Sequence, residues 1–461
     1  MTPGPLALET LTDGGQRPED VGMRIAEWIA RTQRTLDLAL YSVHVPGPVG
    51  DRVMAAVRDA SARGVAVRAL LHRPDLQPSP LHATATPRVR VDVLRRAGVH
   101  IELTEQRRDL MHHKFAVRDD EAVWTGSTNW TLDDFGAEEN VILRLESPAI
   151  ADAYSAVFSE LWATQQIDGT GAYDTRLVQV GDAQVRPWFC PGRGRALSHR
   201  IADRITTARR RVRVASPIIT AGPILSALSA ASAGHADLSG IVDISQTVRV
   251  LRQWADGQPT WKGPVLEQLL RSNAFAGKVS SEDFGRPGSV RDTMHAKVVV
   301  VDDVAFVGSF NLSRSGENNA ENTLEIEHAA TADRLAAWID ELCARYPPAA
   351  AGLAGGVQAG ARPASSRFAR WTRARRPRRR SAAGSPRGSA RPTGRSTSRS
   401  MTCAFRDRSA TPSRTRSGRR SRAACACGSR STTPSSRRPR SRRRRRRHAR
   451  TCSPRPAPRS V

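Results

Sequence analysis

The chain has 461 residues and a formal net charge of +28, but that charge is unevenly placed. Residues 361–461 hold 33 Arg, no Lys and a single acid, Asp407, whereas residues 1–360 hold 39 basic and 43 acidic side chains, a net of −4. The basicity belongs to the C-terminal segment and gives no ground for reading the remainder as a polyanion-binding body. No apolar run approaches the roughly 18 to 20 residues that a membrane span needs. The first residues show neither the basic nor the apolar region of a signal peptide, so a soluble protein of a reducing, cytoplasmic compartment is expected. Cys190 and Cys343 lack ligand spacing, and Cys425-x-Cys427 in the tail has no matching pair, so no metal or other cofactor is expected.

In chain order, residues 24–39 read as an amphipathic helix with Ile25, Trp28 and Ile29 at helical spacing, switching to a strand over 36–43. A helix near 51–62 precedes a strand at 65–71, and a helix near 91–97 precedes a strand at 100–104. Residues 140–147 form a further strand. Ser147-Pro148 then starts a helix, with Pro at its first position, that runs through Ala153, Val157, Phe158 and Trp162. A junction falls near 168–185. Beyond it the pattern repeats: residues 200–215 align with 24–39 at an offset of 176, and a strand follows at 212–219. The strand at 323–327 and the helix through Leu335, Trp338 and Leu342 repeat the end of the first half. Arg209-Arg210-Arg211 suits the solvated C-terminal end of a helix, and Trp254 and Trp261 are expected to pack in a core rather than line a substrate entrance.

Strands alternating with helices predict an α/β protein. It is read as two tandem α/β/α sandwich lobes, each with a mostly parallel sheet, related by a pseudo-two-fold and followed by a disordered tail. The lobes are assigned to residues 1–175 and 176–347. Residues 348–360 read as a small-residue linker, and in the tail beyond them Val461 is the only Val, Leu or Ile, too little apolar surface to fold. The tail has two readings, a polycation that binds nucleic acid or an anionic surface, or a misread frame of GC-rich DNA, and no function is rested on it.

The chemistry is concentrated in two copies of one constellation, 183 residues apart. The first runs from His112-His113-Lys114 through Asp119 to Gly126-Ser127-Thr128-Asn129; the second runs from His295-Ala296-Lys297 through Asp302 to Gly308-Ser309-Phe310-Asn311. Glu139-Asn140 and Glu321-Asn322 each begin ten positions after the motif's Asn. His and Lys two residues apart on a strand share one face, and a following hairpin would bring each Asn back toward its own pair. Only four Lys occur among the 39 cations of residues 1–360, and two of them stand in the motifs, which points to a need for compact point charges. Two ammonium groups and two amides suit the charge that grows on a phosphodiester's oxygens as a nucleophile adds. Two imidazoles can divide attack and protonation of the leaving group. Glu139 and Glu321 are expected each to accept a hydrogen bond from the far nitrogen of a catalytic His. His113, out of register, is expected to be an ordinary core or surface residue.

The pattern His-x-Lys-x4-Asp followed by Gly-Ser-x-Asn, present twice, resembles the signature of the phospholipase D superfamily, over about residues 18–346. The resemblance implies one active site where two lobes meet and a covalent phosphohistidine formed without a metal ion. It implies His112 as nucleophile and His295 as general acid, with the reverse assignment open. Lys114, Lys297, Asn129 and Asn311 would grip phosphate, Ser127 and Ser309 would support, and Asp119 and Asp302 would be structural. Six residues separate Asp119 from Gly126 and five separate Asp302 from Gly308, which leaves the second hairpin's register open.

The reading is a phosphodiesterase that hydrolyses phospholipid on its headgroup side, acting as a monomer because both motifs are in one chain. The alternative keeps the chemistry and takes DNA or RNA, to which the first motif, similar to the small nuclease and cardiolipin-hydrolase branch, also fits. Complete motifs in both halves argue against a binding module with a dead site.

Overall fold

The computed structural model describes residues 4–73, 91–105, 109–234, 236–257, 260–272, 274–281 and 290–354. The expected disorder of the tail lies outside the described residues. The first lobe comprises β1 (Leu6–Leu11), α1 (Pro18–Ala30), β2 (Thr35–Leu40), β3 (Val43–His44), α2 (Gly47–Ala62), β4 (Ala66–Leu71), α3 (Val91–Arg96), β5 (His100–Leu103), β6 (Lys114–Arg118), β7 (Ala122–Gly126), β8 (Trp130–Thr131), α4 (Leu132–Gly136), β9 (Asn140–Glu146) and α5 (Pro148–Thr164). The second comprises β10 (Val178–Val180), β11 (Ala183–Cys190), α6 (Gly194–Thr206), β12 (Arg211–Ser216), α7 (Gly222–Ser232), β13 (Asp237–Asp243), α8 (Ile244–Asp256), α9 (Lys262–Arg271), β14 (Phe275–Lys278), β15 (Val298–Val301), β16 (Val304–Gly308), α10 (Arg314–Asn318), β17 (Glu321–Glu327), α11 (Ala329–Arg345) and α12 (Ala349–Ala354).

The duplication extends to topology. One sheet has the order β1-β9-β7-β6-β2-β4-β5, and the other repeats it as β11-β17-β16-β15-β12-β13-β14 with β10 added at the edge. The sheets are mixed rather than mostly parallel. Among the described residues of these two sheets only β2-β4-β5 and β12-β13-β14 run parallel, through helical crossovers, and β3 pairs parallel with β8 in a separate two-stranded sheet. The motif strands β6-β7 and β15-β16 are hairpins, and their turns are too short for anything but antiparallel pairing.

Three apolar clusters make the layers. Outer helices α1, α2 and α3 cover one face of the first sheet through Trp28, Ile29, Val53 and Leu94. Helices α6, α7 and α9 cover the second sheet through Ile201, Leu225 and Leu269. Between the sheets lies one shared cluster, built from Tyr154, Phe158 and Leu161 of α5, Leu335, Trp338 and Ile339 of α11, and the inward residues of both sheets, including Val117, Leu143, Val300 and Leu324.

Residues 348–360, read as a linker, instead begin with a helix. An alanine-rich run favours helix, and Ala349 is buried while Leu353 packs against the second lobe's outer core. Trp254 packs partly into that core as expected, but Trp261 is 53% exposed, at the start of α9. Arg209 and Arg210 follow α6 as solvated residues, but Arg211 opens β12 and donates to the Asp302 carbonyl oxygen.

Candidate active site

Each motif hairpin is fastened at its turn. Asp119 accepts from the backbone N–H groups of Gln33, Arg34 and Thr35 at 2.9, 2.6 and 3.0 Å, and Asp302 from those of Arg209, Arg210 and Arg211 at 3.0, 2.8 and 3.1 Å. Burial alone would raise the Asp119 carboxyl, but the three N–H donors outweigh it and hold it below its ordinary range. Both aspartates adopt positive φ, 58° and 50°. The one-residue spacing difference between the copies is absorbed in the turn. Arg118 pairs with Ala122 across three residues, Val301 pairs with Val304 across two, and the strands beyond keep equivalent register.

The hairpins deliver the motif residues to one place. His112, His295, Asn129 and Asn311 line a cavity of about 110 Å³ together with Tyr41, Pro217, Ile218, Gln246, Arg291 and Thr293. Lys114 and Lys297 are 1% and 3% exposed, and each ammonium donates to the carbonyl oxygen of its own motif His, Lys114 at 2.8 Å. Burial brings the Lys114 ammonium down to about 8, against the attraction of Glu321, which raises it. Burial and the neighbouring Lys114 push Lys297 well below its ordinary value. Burial and the two ammonium groups likewise push both imidazoles well down. Four buried groups that repel one another's charge are relieved by one anion in the cavity. The Oδ1 atoms of Asn129 and Asn311 are buried with no hydrogen-bond partner among the described residues.

The two imidazoles are held differently. His112 comes from the first lobe, and its Nδ1 lies 2.8 Å from both carboxylate oxygens of Glu321 in the second. Its backbone N–H donates to Ala320 O at 2.9 Å. Burial raises Glu321 to about 7, with Lys114 opposing. His295 faces the first lobe: its N–H donates to Glu139 O at 3.1 Å and its Nδ1 lies 3.1 Å from Asn140 Oδ1. Glu138 and Asp134 stand 3.4 and 3.5 Å from the same nitrogen.

The expectation that Glu139 orients a histidine is therefore corrected. Gly126 pairs with Ile142 and Gly308 with Thr323, so Asn140, not Glu139, is the structural counterpart of Glu321. The α4–β9 turn holds three residues where the α10–β17 turn holds two. This extra residue turns Glu139 away, onto Lys278 Nζ at 2.6 Å and the Tyr346 hydroxyl at 2.5 Å. The motif serines fit the corrected pairing. Ser127 Oγ donates to Asn140 Oδ1 at 2.7 Å, and Ser309 accepts the Asn322 N–H at 3.0 Å beside Glu321. His113 is a core residue: burial brings it to about 4, Nδ1 lies 3.2 Å from Asn322 Oδ1, and the ring meets Phe115 edge-on.

Several contributors carry no sequence motif. The Tyr41 ring lies edge-on to His112 with centroids 4.8 Å apart, and Lys114 Nζ sits 5.1 Å from its centroid. Arg291 Nε lies 3.2 Å from Glu138 across the lobes. Asp134 holds Asn129, accepting from its N–H at 2.8 Å and from its side-chain amide at 3.2 Å. Tyr41 could be sought at the carboxyl end of a parallel strand, where α/β sites gather. Arg291 and Glu138 carry no such signal.

Asp134, Glu138 and His295 also bring potential metal-ligand atoms within 4.8 Å of one another. Those carboxylates already accept from Thr131, Asn129, Thr293 and Asn140, so the set fits a hydrogen-bonded cradle for His295 better than an open coordination site.

With two such hairpins meeting at one cavity, the chain belongs to the phospholipase D superfamily. The family profile "Cardiolipin synthase, PLD-like domain" matches residues 25–162 and again 201–343. Among relatives, the mitochondrial cardiolipin hydrolase of Xenopus laevis is 30% identical over 139 residues, covering 30% of this chain and 60% of that protein. The human mitochondrial cardiolipin hydrolase is 27% identical over 139 residues, covering 30% of this chain and 50% of that protein. The chain thus spans about 50 to 60% of the length of these curated relatives. Among solved structures, phosphatidylserine synthase of Haemophilus influenzae Rd KW20 shares the fold, with a TM-score of 0.50 and 12% identity over 73% of this chain and 86% of that chain. No helix among the described residues is long and apolar enough to cross a membrane.

Proposed function

We propose that the chain is a phosphodiesterase that hydrolyses the headgroup-side ester of a phospholipid through a phosphohistidine, with no metal in the chemical step. The observation that carries the reading is the 2.8 Å contact of His112 Nδ1 with buried Glu321, which leaves Nε2 as the nitrogen free to attack. In the first step the Nε2 lone pair of His112 forms a bond to phosphorus as the phosphorus–headgroup oxygen bond breaks. His295 gives its proton to the departing oxygen. Glu321 then faces a cationic ring and stabilises it. Lys114, Lys297 and the two Asn amides meet the charge on the non-bridging oxygens.

In the second step water adds to phosphorus, His295 takes its proton, and the N–P bond breaks to free His112 and phosphatidic acid. An incoming anion favours protonation of His295, and Glu138 and Asp134 beside its Nδ1 favour the same form. The lipid assignment is supported by the name of the relatives, cardiolipin hydrolase, and by a body of net charge −4, unsuited to gathering polyanionic strands. The full chain, assayed in EDTA with phosphatidylcholine vesicles, cardiolipin vesicles and single-stranded DNA side by side, tests it. Phosphatidic acid released without strand cleavage supports the proposal. Strand cleavage alone assigns a nuclease, and activity lost to EDTA removes the metal-free mechanism.

A further inference from the structure

Two of the four Lys before residue 361 belong to the paired motifs; a third, Lys278, has no place in the chemistry above. It ends β14 and is 3% exposed. Its ammonium lies 2.6 Å from Glu139 Oε2 and 3.6 Å from Asp13 Oδ2, and it donates to the Ala137 carbonyl oxygen at 3.3 Å. The Tyr346 hydroxyl donates to the other oxygen of Glu139 at 2.5 Å. Burial alone would strip the lysine's proton, but Glu139, Tyr346 and Asp13 outweigh it and keep the ammonium charged.

This buried ion pair ties the α4–β9 turn of one lobe to the last strand residue of the other lobe's parallel edge. That turn is the one with the extra residue, and it carries the groups that set His295. Glu139 O accepts the His295 N–H, Asn140 faces Nδ1, and Glu138 stands beside it. The shorter α10–β17 turn holds His112 through Ala320 and Glu321. A longer turn has more conformations to lose, and an error of about 1 Å at a catalytic group can cost on the order of 100-fold in rate.

We propose that Lys278 is a positioning residue for His295: by clamping Glu139 it fixes the turn whose backbone and side chains aim the leaving-group acid. The proposal rests on the assignment of His295 as that acid. It implies a loss that depends on the leaving group, because a good leaving group departs without a proton and a poor one does not. A fold defect alone would slow both.

The test uses the full chain with two matched probes in mixed micelles, phosphatidylcholine and phosphatidyl-p-nitrophenol, reading leaving-group release in the first turnover. Lys278→Met strands the buried Glu139 carboxylate and destabilises the protein, so the variant compared is Lys278→Met combined with Glu139→Gln, which removes that charge and leaves only the more distant Asp13 without this cation. Release of choline should fall at least about tenfold, and by no more than the roughly 10²- to 10⁴-fold that general acid catalysis contributes. Release of p-nitrophenolate should stay within about threefold of the parent, and KM should be unchanged. A folded double variant that slows both probes equally, or neither, overturns the proposal. His295→Ala is run alongside. If it too fails to discriminate between the probes, the assignment of His295 falls, and with it the ground for the clamp.

Discussion

Replacement of Glu321 by Gln offers the sharpest test of how the site works. Glu321 is fully buried and both its oxygens lie 2.8 Å from Nδ1 of His112, which is itself 7% exposed. A hydrogen bond to a charged partner contributes about 1.5 to 3 kcal/mol, against about 0.5 to 1.5 for a neutral one. The charge matters most once His112 has attacked and its ring is cationic, so the loss belongs to the transition state and should appear in kcat. Gln keeps a neutral acceptor, so about 1 to 1.5 kcal/mol is lost, and at about 1.4 kcal/mol per tenfold Glu321→Gln should lower kcat by about 5- to 12-fold with KM nearly constant. The neutral amide at the equivalent position supplies the internal comparison: Asn140→Ala should cost about 2- to 13-fold. Steady-state kinetics on phosphatidylcholine, with thermal denaturation to confirm folding, measures both. A Glu321→Gln enzyme within twofold of the parent in kcat would refute the orienting role.

The pH profile of kcat/KM should be a bell. Its acid limb lies near 7, where protonation of the raised Glu321 removes the acceptor for His112, and its basic limb lies near 8, where Lys114 loses its charge. A bound phosphodiester anion should move the basic limb of kcat upward relative to that of kcat/KM, and Glu321→Gln should remove the acid limb. For stability the sign runs the other way: Glu321's folded value is raised, so its contribution is full below its unfolded value and declines as pH rises through about 7. Asp119→Ala or Asp302→Ala, each stripping an acceptor from three backbone N–H groups, should destabilise by about 2 to 3 kcal/mol in urea denaturation. Each should leave kcat of the folded enzyme within about threefold, since neither carboxylate faces the cavity. EDTA should leave turnover of the wild type unchanged, and restoration of a lost activity by added divalent ions would revive Asp134, Glu138 and His295 as ligands.

Much of this is legible in the sequence. The motif spacing named both histidines and both lysines, and the helix-to-strand switches placed α2, α3 and α5 within a few residues, while α1 and α6 each begin six residues before the aligned repeat. The failures have physical causes. Equal sequence spacing made Glu139 the twin of Glu321, yet one residue in the α4–β9 turn shifts every later side chain to its neighbour's place. The motif hairpins are readable from their strands and turns, but the sheets read as mostly parallel because alternation of strand and helix dominates the pattern elsewhere. Strands β1 and β11 went unread: β1 lies at a sheet edge without clean alternation, and β11 falls across the expected junction near 168–185. Arg291 and Glu138 join the site through contacts across the lobes, which a linear reading cannot see, and Arg291 is one of 35 arginines before residue 361.

The apolar layer between the sheets has a consequence for how the chain folds. Because α5, α11 and the inner faces of both sheets share one cluster, neither half owns a finished interior. A cut near the junction would yield two fragments, each presenting a broad greasy face to water, rather than two small stable proteins. The halves are repeats in pattern but one cooperative unit in melting. A lesion in the packing of Trp338, which lies in that shared layer, should therefore loosen both halves together.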